Sequence, residues 1–186
     1  MCPNSAPAIG VVIVPLVGLA ERQRHLAAID DIFFAASATR AFTDAQQSAA
    51  FRERWLGRYL VHFPSLAFAA VGAGDETLGY IVGALDDPAR DPRFADIGYF
   101  RTFARWTARF PAHLHVNLAE GARNRGIGGR LVTAFCEAAR DGGAPGVHVV
   151  TAEASRNRTF YARLGFELTA TTAWNGHAIV LLAKTL

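Results

Sequence analysis

A glycine-rich stretch in the second half of the chain has the residue types of an anion-binding turn. Arg123 is followed by Gly126, Gly128 and Gly129, and a helical pattern begins directly after them. Glycines allow positive φ angles and let a ligand approach the backbone closely. The free N–H groups at a helix start and the positive end of the helix dipole favour a phosphate or pyrophosphate. The stretch predicts such a site, and a turn that holds no ligand is the alternative.

Two other phosphate-binding loops do not fit this spacing. A P-loop ends in Gly-Lys-Ser/Thr, whereas Gly129 is followed here by Arg130 and Leu131. The dinucleotide-binding fingerprint requires a third glycine at the place that Leu131 occupies. The sequence therefore disfavours a P-loop and redox chemistry with a dinucleotide.

The residues before the loop alternate as in a β-strand, and two of them are histidines. His113, His115 and Asn117 fall on one side of this strand and apolar residues on the other. Imidazole is suited to proton transfer near pH 7, so both histidines are candidate proton acceptors, and packing under a helix is the alternative. Acidic side chains at strand ends are further candidates for the base: Asp86, Asp87, Glu120 and Glu153. The other histidines have no motif and are interpreted as structural or solvent-facing: His25, His62, His148 and His177.

Hydrophobic periodicity predicts the strands and helices that must position these residues. Strands are predicted over residues 11–14, 65–71, 77–85, 147–152, 166–173 and 178–183, besides the strand with the histidine pair. Helices are predicted over residues 20–38, from a capping box at Thr43 and Gln46 up to Pro64, from the glycine loop to about residue 140, and over residues 156–164. Asn175-Gly176 predicts a two-residue hairpin turn.

Residues 86–109 are a polar insert with prolines and several aromatic side chains. The last aromatics have helical spacing, which predicts a short helix. The insert has two interpretations: a cap over apolar surface, or one wall of a substrate site.

Composition excludes several classes of protein. The 186 residues are 51% hydrophobic and 19% charged, which is typical of a globular protein, and the length suits one domain over residues 1–186. A net charge of +3 without clusters of basic residues suits an anionic cofactor and not a nucleic-acid surface. Cys2 and Cys136 form neither a disulfide framework nor a metal motif, so we expect no metal and a reducing, cytoplasmic compartment. The apolar run over residues 8–19 is interrupted by Pro15 and is too short for a membrane span, so we interpret it as a strand.

The element order β-α-α-β-β-insert-β-α-β-α-β-β and two motifs resemble the GNAT acetyltransferase superfamily. The first motif is the loop Arg123-x-x-Gly126-x-Gly128 after a strand, which is similar to the coenzyme A pyrophosphate loop of that family. The second is the stretch 160–166, FYARLGF, which contains Tyr161. A narrower resemblance links the stretch 110–117, FPAHLHVN, to the acetyltransferase-like domain associated with O-GlcNAc hydrolases, whose members need not all be active enzymes.

The resemblance implies an α/β (α+β) GNAT fold: a mixed central sheet of about seven strands with helices on both faces. Strands 4 and 5 would splay apart to hold acetyl-CoA. The implied catalytic residue is Tyr161, which protonates the leaving thiolate. For the base, strand alternation favours His115 over His113, because His115 is closer to the point where the strands splay and so to the thioester; a base that acts through a water is the alternative. The implied cofactor-binding residues are Val116, Asn117, Leu118, Ala119, Arg123, Asn124, Arg125, Gly126, Ile127, Gly128, Gly129, Arg130, Asn157 and Tyr161. Two departures from the family pattern are Glu120 in place of a proline and Ala154 in place of an asparagine.

By the same resemblance, we expect an N-acetyltransferase that transfers acetyl from acetyl-CoA to a primary amine by direct attack in a ternary complex. The acceptor would be a small-molecule or protein amine. No nucleic acid or membrane partner is expected, and the protein would be a monomer or homodimer. The alternative function is a catalytically silent acyl-CoA-binding or interaction module of the same fold.

Overall fold

The computed structural model describes residues 10–39 and 41–186. Cys2 and the first two residues of the predicted apolar strand lie outside the described residues. The chain divides into two compact units: Met1–Gly83 with His115–Phe135, and Ala84–Leu114 with Cys136–Leu186. The expectation of a single domain stays a prediction.

The first unit contains an antiparallel set of strands with helices packed on it. Strand β1 (Val12–Pro15) pairs with β2 (Phe68–Val71), which pairs with β3 (Thr77–Ala84). Helix α1 (Arg22–Ala36) buries a stripe of side chains at helical spacing, namely His25, Ile29, Ile32 and Phe33. These elements agree with the predicted strands and first helix to within a few residues.

The second predicted helix is composed of three segments. These are α2 (Ala45–Arg52), a π-helical turn over Glu53–Gly57, and α3 (Arg58–His62). The predicted capping box is wrong by one residue, because Asp44 and not Thr43 is the N-cap. The Asp44 carboxylate accepts the N–H of Gln47 at 2.8 Å, and the Gln47 side chain accepts the N–H of Thr43 at 2.8 Å.

The strand with the histidine pair belongs to both units. Strand β4 (Ala112–Leu118) begins in the second unit and continues into the first at His115. It is followed by helix α6 (Ile127–Asp141). The helices of the insert, α4 (Tyr99–Thr102) and α5 (Ala104–Thr107), precede it.

The second unit contains the C-terminal strands. Strand β5 (Gly146–Ala152) pairs with β7 (His177–Thr185), which pairs with β6 (Glu167–Trp174). The hairpin turn lies at Asn175 and Gly176, as predicted, with φ angles of 49° and 77°. Helix α7 (Asn157–Ala162) connects β5 to β6 and is shorter than predicted.

The predicted fold class is confirmed as a mixed sheet of seven strands in the order β1-β2-β3-β4-β5-β7-β6. Strands β4 and β5 are parallel. Among the described residues their register comprises Ala112 with Val147 and His113 with His148, at the start of both strands. Within the described part of the chain, no helix has the length and apolarity to cross a membrane.

The insert covers apolar surface of the second unit. Phe103 of the insert and Phe110, which directly follows the insert, are buried together with Leu181 and Ala183 of β7. Tyr99 and Trp106 pack against the same cluster. This arrangement corresponds to the cap interpretation of the insert.

Candidate active site

The glycine loop lies in the first unit, where the sequence predicted it. A 3₁₀ turn over Glu120–Ala122 leads from β4 to α6, and Asn124 and Gly126 have positive φ angles of 60° and 76°. The N–H of Arg130 donates to the carbonyl of Gly126 at 3.3 Å, one turn into the helix. The amides of residues 127–129 therefore precede this bond and have no carbonyl four residues earlier within the helix.

The environment of the loop suits an anion. A Cβ built at Gly126 would have no heavy atom within 4 Å, so the backbone there borders open space. Three exposed arginines add positive charge to the loop: Arg123, Arg125 and Arg130. Ile127, by contrast, is fully buried and anchors the helix start. The residues present thus fit a pyrophosphate group bound by backbone amides.

At the end of β4, successive backbone N–H groups point to opposite edges of the strand. The N–H of Ala119 donates to the carbonyl of Leu78 at 3.0 Å, next to β3. A Cβ at Gly79 would lie 2.8 Å from the carbonyl oxygen of Asn117, so the two strands approach closely. Because successive residues of a strand present their amides to opposite edges, the N–H groups of Val116 and Leu118 point to the other edge.

His115 and Asn117 each contact the hydroxyl of a buried tyrosine in the first unit. The hydroxyl of Tyr59, in α3, lies 3.1 Å from Nε2 of His115. The amide nitrogen of Asn117 donates to the hydroxyl of Tyr80, in β3, at 2.8 Å. Burial raises the pKa of Tyr80, and the hydrogen bond from Asn117 opposes part of this rise. Trp55 packs edge-on against the His115 ring, with 5.5 Å between ring centroids.

His113 has a different environment, in the second unit. Its ring is 3% exposed and lies 4.7 Å from the Phe94 ring and 5.3 Å from the Phe100 ring. It stacks on His148 at 5.6 Å. Burial lowers the pKa of His148 to about 4, opposed by the hydrogen bond in which its Nδ1–H donates to the carbonyl of Phe110 at 2.5 Å. His113 and His148 are therefore parts of an aromatic cluster beneath the insert.

Tyr161 and Asn157 lie on α7, in the second unit. Tyr161 is buried and packs against Phe160 and Phe166, with ring centroids 5.0 Å and 5.3 Å away. Burial raises the pKa of its hydroxyl, so the hydroxyl keeps its proton at neutral pH. Asn157 is exposed, and its N–H donates to Oγ of Ser155 at 3.1 Å.

The acidic alternatives for the base are dispersed. Glu120 and Glu153 are exposed, Asp86 pairs with Arg93 at 3.0 Å, and Asp87 accepts the N–H of Ala89 at 3.0 Å. A surface cavity of about 540 Å³ in the second unit includes Glu153 and the departure Ala154 in its lining.

Sequence reasoning did not assign Tyr59, Tyr80 or Trp55 to the site. The spacing of Trp55 and Tyr59 predicted one helix face, and Tyr80 was part of a predicted strand. Periodicity indicates which side chains are buried but not which polar group a buried hydroxyl contacts.

Comparison with models of known protein families identifies the family of this chain. A family model described as the acetyltransferase (GNAT) domain matches residues 65–168, which is more than half of the chain. The chain belongs to the GNAT acetyltransferase family. Members of this family transfer an acetyl group from acetyl-CoA. The match contains the glycine loop and Tyr161 of this GNAT chain.

Solved structures of low sequence identity share the fold. SsHAT has 24% identity and a TM-score of 0.70, with 95% of this chain and 98% of that chain covered. The NatC complex bound to Gag peptide and CoA has 18% identity and a TM-score of 0.65, with 96% and 99% covered. An agmatine N-acetyltransferase mutant has 15% identity and a TM-score of 0.65, with 95% and 100% covered. Comparison with curated proteins gives no match.

Proposed function

We propose that this GNAT chain is an N-acetyltransferase that transfers the acetyl group of acetyl-CoA to a primary amine by direct attack in a ternary complex. The observation that carries the proposal is the loop between β4 and α6. Its amides at residues 127–129 precede the hydrogen bond that the N–H of Arg130 donates to the carbonyl of Gly126, and three exposed arginines lie beside them. When bound, acetyl-CoA supplies the acetyl group as a thioester. The amides from Arg125 to Arg130 would hold its pyrophosphate.

The strand and the tyrosine have separate proposed tasks. The backbone edge of β4 at Val116 and Leu118 would bind the pantetheine arm as an added strand does. The N–H of Leu118 would donate to the oxygen that gains negative charge. The hydroxyl of Tyr161, protonated at neutral pH, would give its proton to the leaving sulfur.

His115 is the proposed proton acceptor for the amine. It is partly exposed and holds a hydrogen bond to Tyr59, whereas His113 is packed among aromatic rings. Placing a positive charge on His113 would bury that charge in the cluster with Phe94, which is costly. The burial pattern thus favours His115 of the two.

The acceptor class rests on the family and its structural neighbours. One neighbour binds a peptide and another is named for the small amine agmatine, so both a protein amine and a small amine are proposed acceptors. The likeness to the domain associated with O-GlcNAc hydrolases rests on the stretch 110–117. A cytoplasmic monomer or homodimer, without nucleic acid or membrane partners, is also proposed.

A catalytically silent acyl-CoA-binding module is the second candidate. The observations that favour it are the burial of Tyr161, which is 7% exposed, and Ala154 at a position where many family members have asparagine.

A thiol-release assay with acetyl-CoA and a broad panel of amines, run beside a calorimetric titration with coenzyme A, tests both candidates. Binding together with thiol release for at least one amine supports the enzyme. Binding without release for any amine supports the silent module. A titration with no heat of binding contradicts both.

A further inference from the structure

Two polar side chains at the end of β4 each contact the hydroxyl of a buried tyrosine within the first unit. His115 and Asn117 are two residues apart on one strand face, and each contacts the hydroxyl of a tyrosine that is 0% exposed. Tyr80 belongs to the neighbouring strand β3, so its contact with Asn117 is made within the sheet. Tyr59 comes from a helix, and its contact with His115 depends on how that helix is built.

The helix that carries Tyr59 is locally π-helical. The π turn over Glu53–Gly57 precedes α3, and single π turns inside helices occur often at functional sites. Trp55 lies in the turn and Tyr59 follows it, and both rings meet the His115 ring edge-on, at 5.5 Å and 5.2 Å. In a regular α-helix with 3.6 residues per turn, the side chains of residues 55 and 59 would point in different directions around the helix axis than they do here.

We propose that Tyr59 is a positioning residue that holds the His115 imidazole in its orientation for proton transfer, a proposal that rests on the proposed acetyltransferase function. Neutral imidazole carries one N–H, so the Tyr59 hydroxyl either donates to Nε2 or accepts from it. In both cases the hydrogen bond and the edge contact with Trp55 restrict the ring to one orientation. A proton acceptor that is fixed in this way loses less freedom when the amine binds.

The variants Tyr59→Phe and Tyr80→Phe form a matched pair. Each removes one hydroxyl from a fully buried ring, and each hydroxyl contacts a polar side chain of β4. We expect Tyr59→Phe to lower kcat roughly 2- to 10-fold, the range of one hydrogen bond, without changing KM for acetyl-CoA. Tyr80→Phe serves as the comparison: any loss of kcat that it causes should be the same with and without His115, because Asn117 transfers no proton.

The dependence on His115 separates positioning from general stabilisation. In a His115→Gln background, Tyr59→Phe should cause no further loss of kcat. Imidazole nitrogen NMR gives a second readout: Tyr59→Phe should shift the Nε2 signal of His115 and leave the signals of His148 unchanged. Equal losses of kcat in the wild-type and His115→Gln backgrounds, or an unchanged His115 signal, would overturn the proposal.

The same experiment distinguishes this proposal from the function itself. Normal turnover by the wild type together with full activity of Tyr59→Phe contradicts only the role of Tyr59. A loss of kcat in Tyr80→Phe that likewise disappears in the His115→Gln background also contradicts it, because the effect would then come from general packing of β4. A wild type that binds coenzyme A but acetylates no amine of the panel overturns both.

Discussion

Replacing Gly128 with valine tests whether the loop binds a pyrophosphate. Gly128 is the second residue of α6 and is absent from the described residues with positive φ, so valine can adopt its backbone conformation. Valine costs a helix no more than glycine does. Gly128 is buried at the start of the helix, and we expect a valine side chain there to fill the place of the phosphate oxygens. We therefore expect a folded variant that no longer binds coenzyme A.

The expected loss follows from the amides at the helix start. The N–H groups of residues 127–129 precede the bond from Arg130 to Gly126. A hydrogen bond to a charged group contributes about 1.5–3 kcal/mol, so blocking two of them costs roughly 3–6 kcal/mol. That loss corresponds to a coenzyme A affinity weakened by roughly 10²- to 10⁴-fold.

Calorimetric titration with coenzyme A and thermal unfolding with acetyl-CoA measure this loss. At 100 times the dissociation constant, the ligand should stabilise the wild type by about 2.7 kcal/mol, which raises Tm by roughly 5–10 °C. Gly128→Val should show no such rise. Gly121→Val is the control, because a Cβ at Gly121 meets no heavy atom within 4 Å and its φ is not positive. A folded Gly128→Val with wild-type affinity would mean that the loop is only a turn.

Three further predictions concern single side chains. Tyr161→Phe should lower kcat roughly 10- to 100-fold with little change in acetyl-CoA affinity, because the hydroxyl acts on the leaving sulfur; an unchanged kcat, with chemistry rate-limiting, contradicts this role. His115→Ala should remove an ionisation near about 6.5 from the pH profile of kcat/KM, whereas His113→Ala should chiefly destabilise the protein, by roughly 2–3 kcal/mol. If both variants keep the wild-type pH profile, neither His113 nor His115 is the base and both serve only in packing. His148, with a pKa of about 4 in the folded state, should lose a proton on folding. The unfolded pKa of His148 is about 6.5. Its contribution to the free energy of unfolding is therefore complete above pH 6.5 and is lost as the pH falls towards 4, by up to about 3 kcal/mol. Urea unfolding of wild type and His148→Gln should show a weaker pH dependence in the variant, and equal slopes contradict the assignment.

The elements that local signals define were predicted well. Asn175-Gly176 formed the expected hairpin turn, and the helix predicted over residues 156–164 is followed by Gly165, which has a φ of 83°. The determinants of these features lie within a few residues of one another, so a sequence displays them fully. The helix N-cap was wrong by one residue because Thr43 and Asp44 are both good caps. Which of the two residues becomes the N-cap depends on which one has an extended backbone at the point where the helix begins.

The π turn over Glu53–Gly57 could not be predicted from the sequence. The spacing of Phe51, Trp55 and Tyr59 is compatible with a regular helix, and the apolar pattern does not change across the turn. A π turn changes the direction of the side chains around it, and the contacts that these side chains make stabilise it. Here the contacts are those of Trp55 and Tyr59 with His115 of β4. Such contacts join residues about 60 positions apart and leave no local signal.

The histidine pair shows where strand alternation stops being informative. Alternation predicts that His113 and His115 point to the same side of β4, and it assigns them equivalent surroundings. The strand passes from one unit to the other between them, so His113 meets the aromatic insert and His115 meets Tyr59. The preference for His115 as base was based on its place along the strand. Burial now gives an independent reason, because a charge is easier to carry on a partly exposed, hydrogen-bonded imidazole than on one stacked against a second buried imidazole.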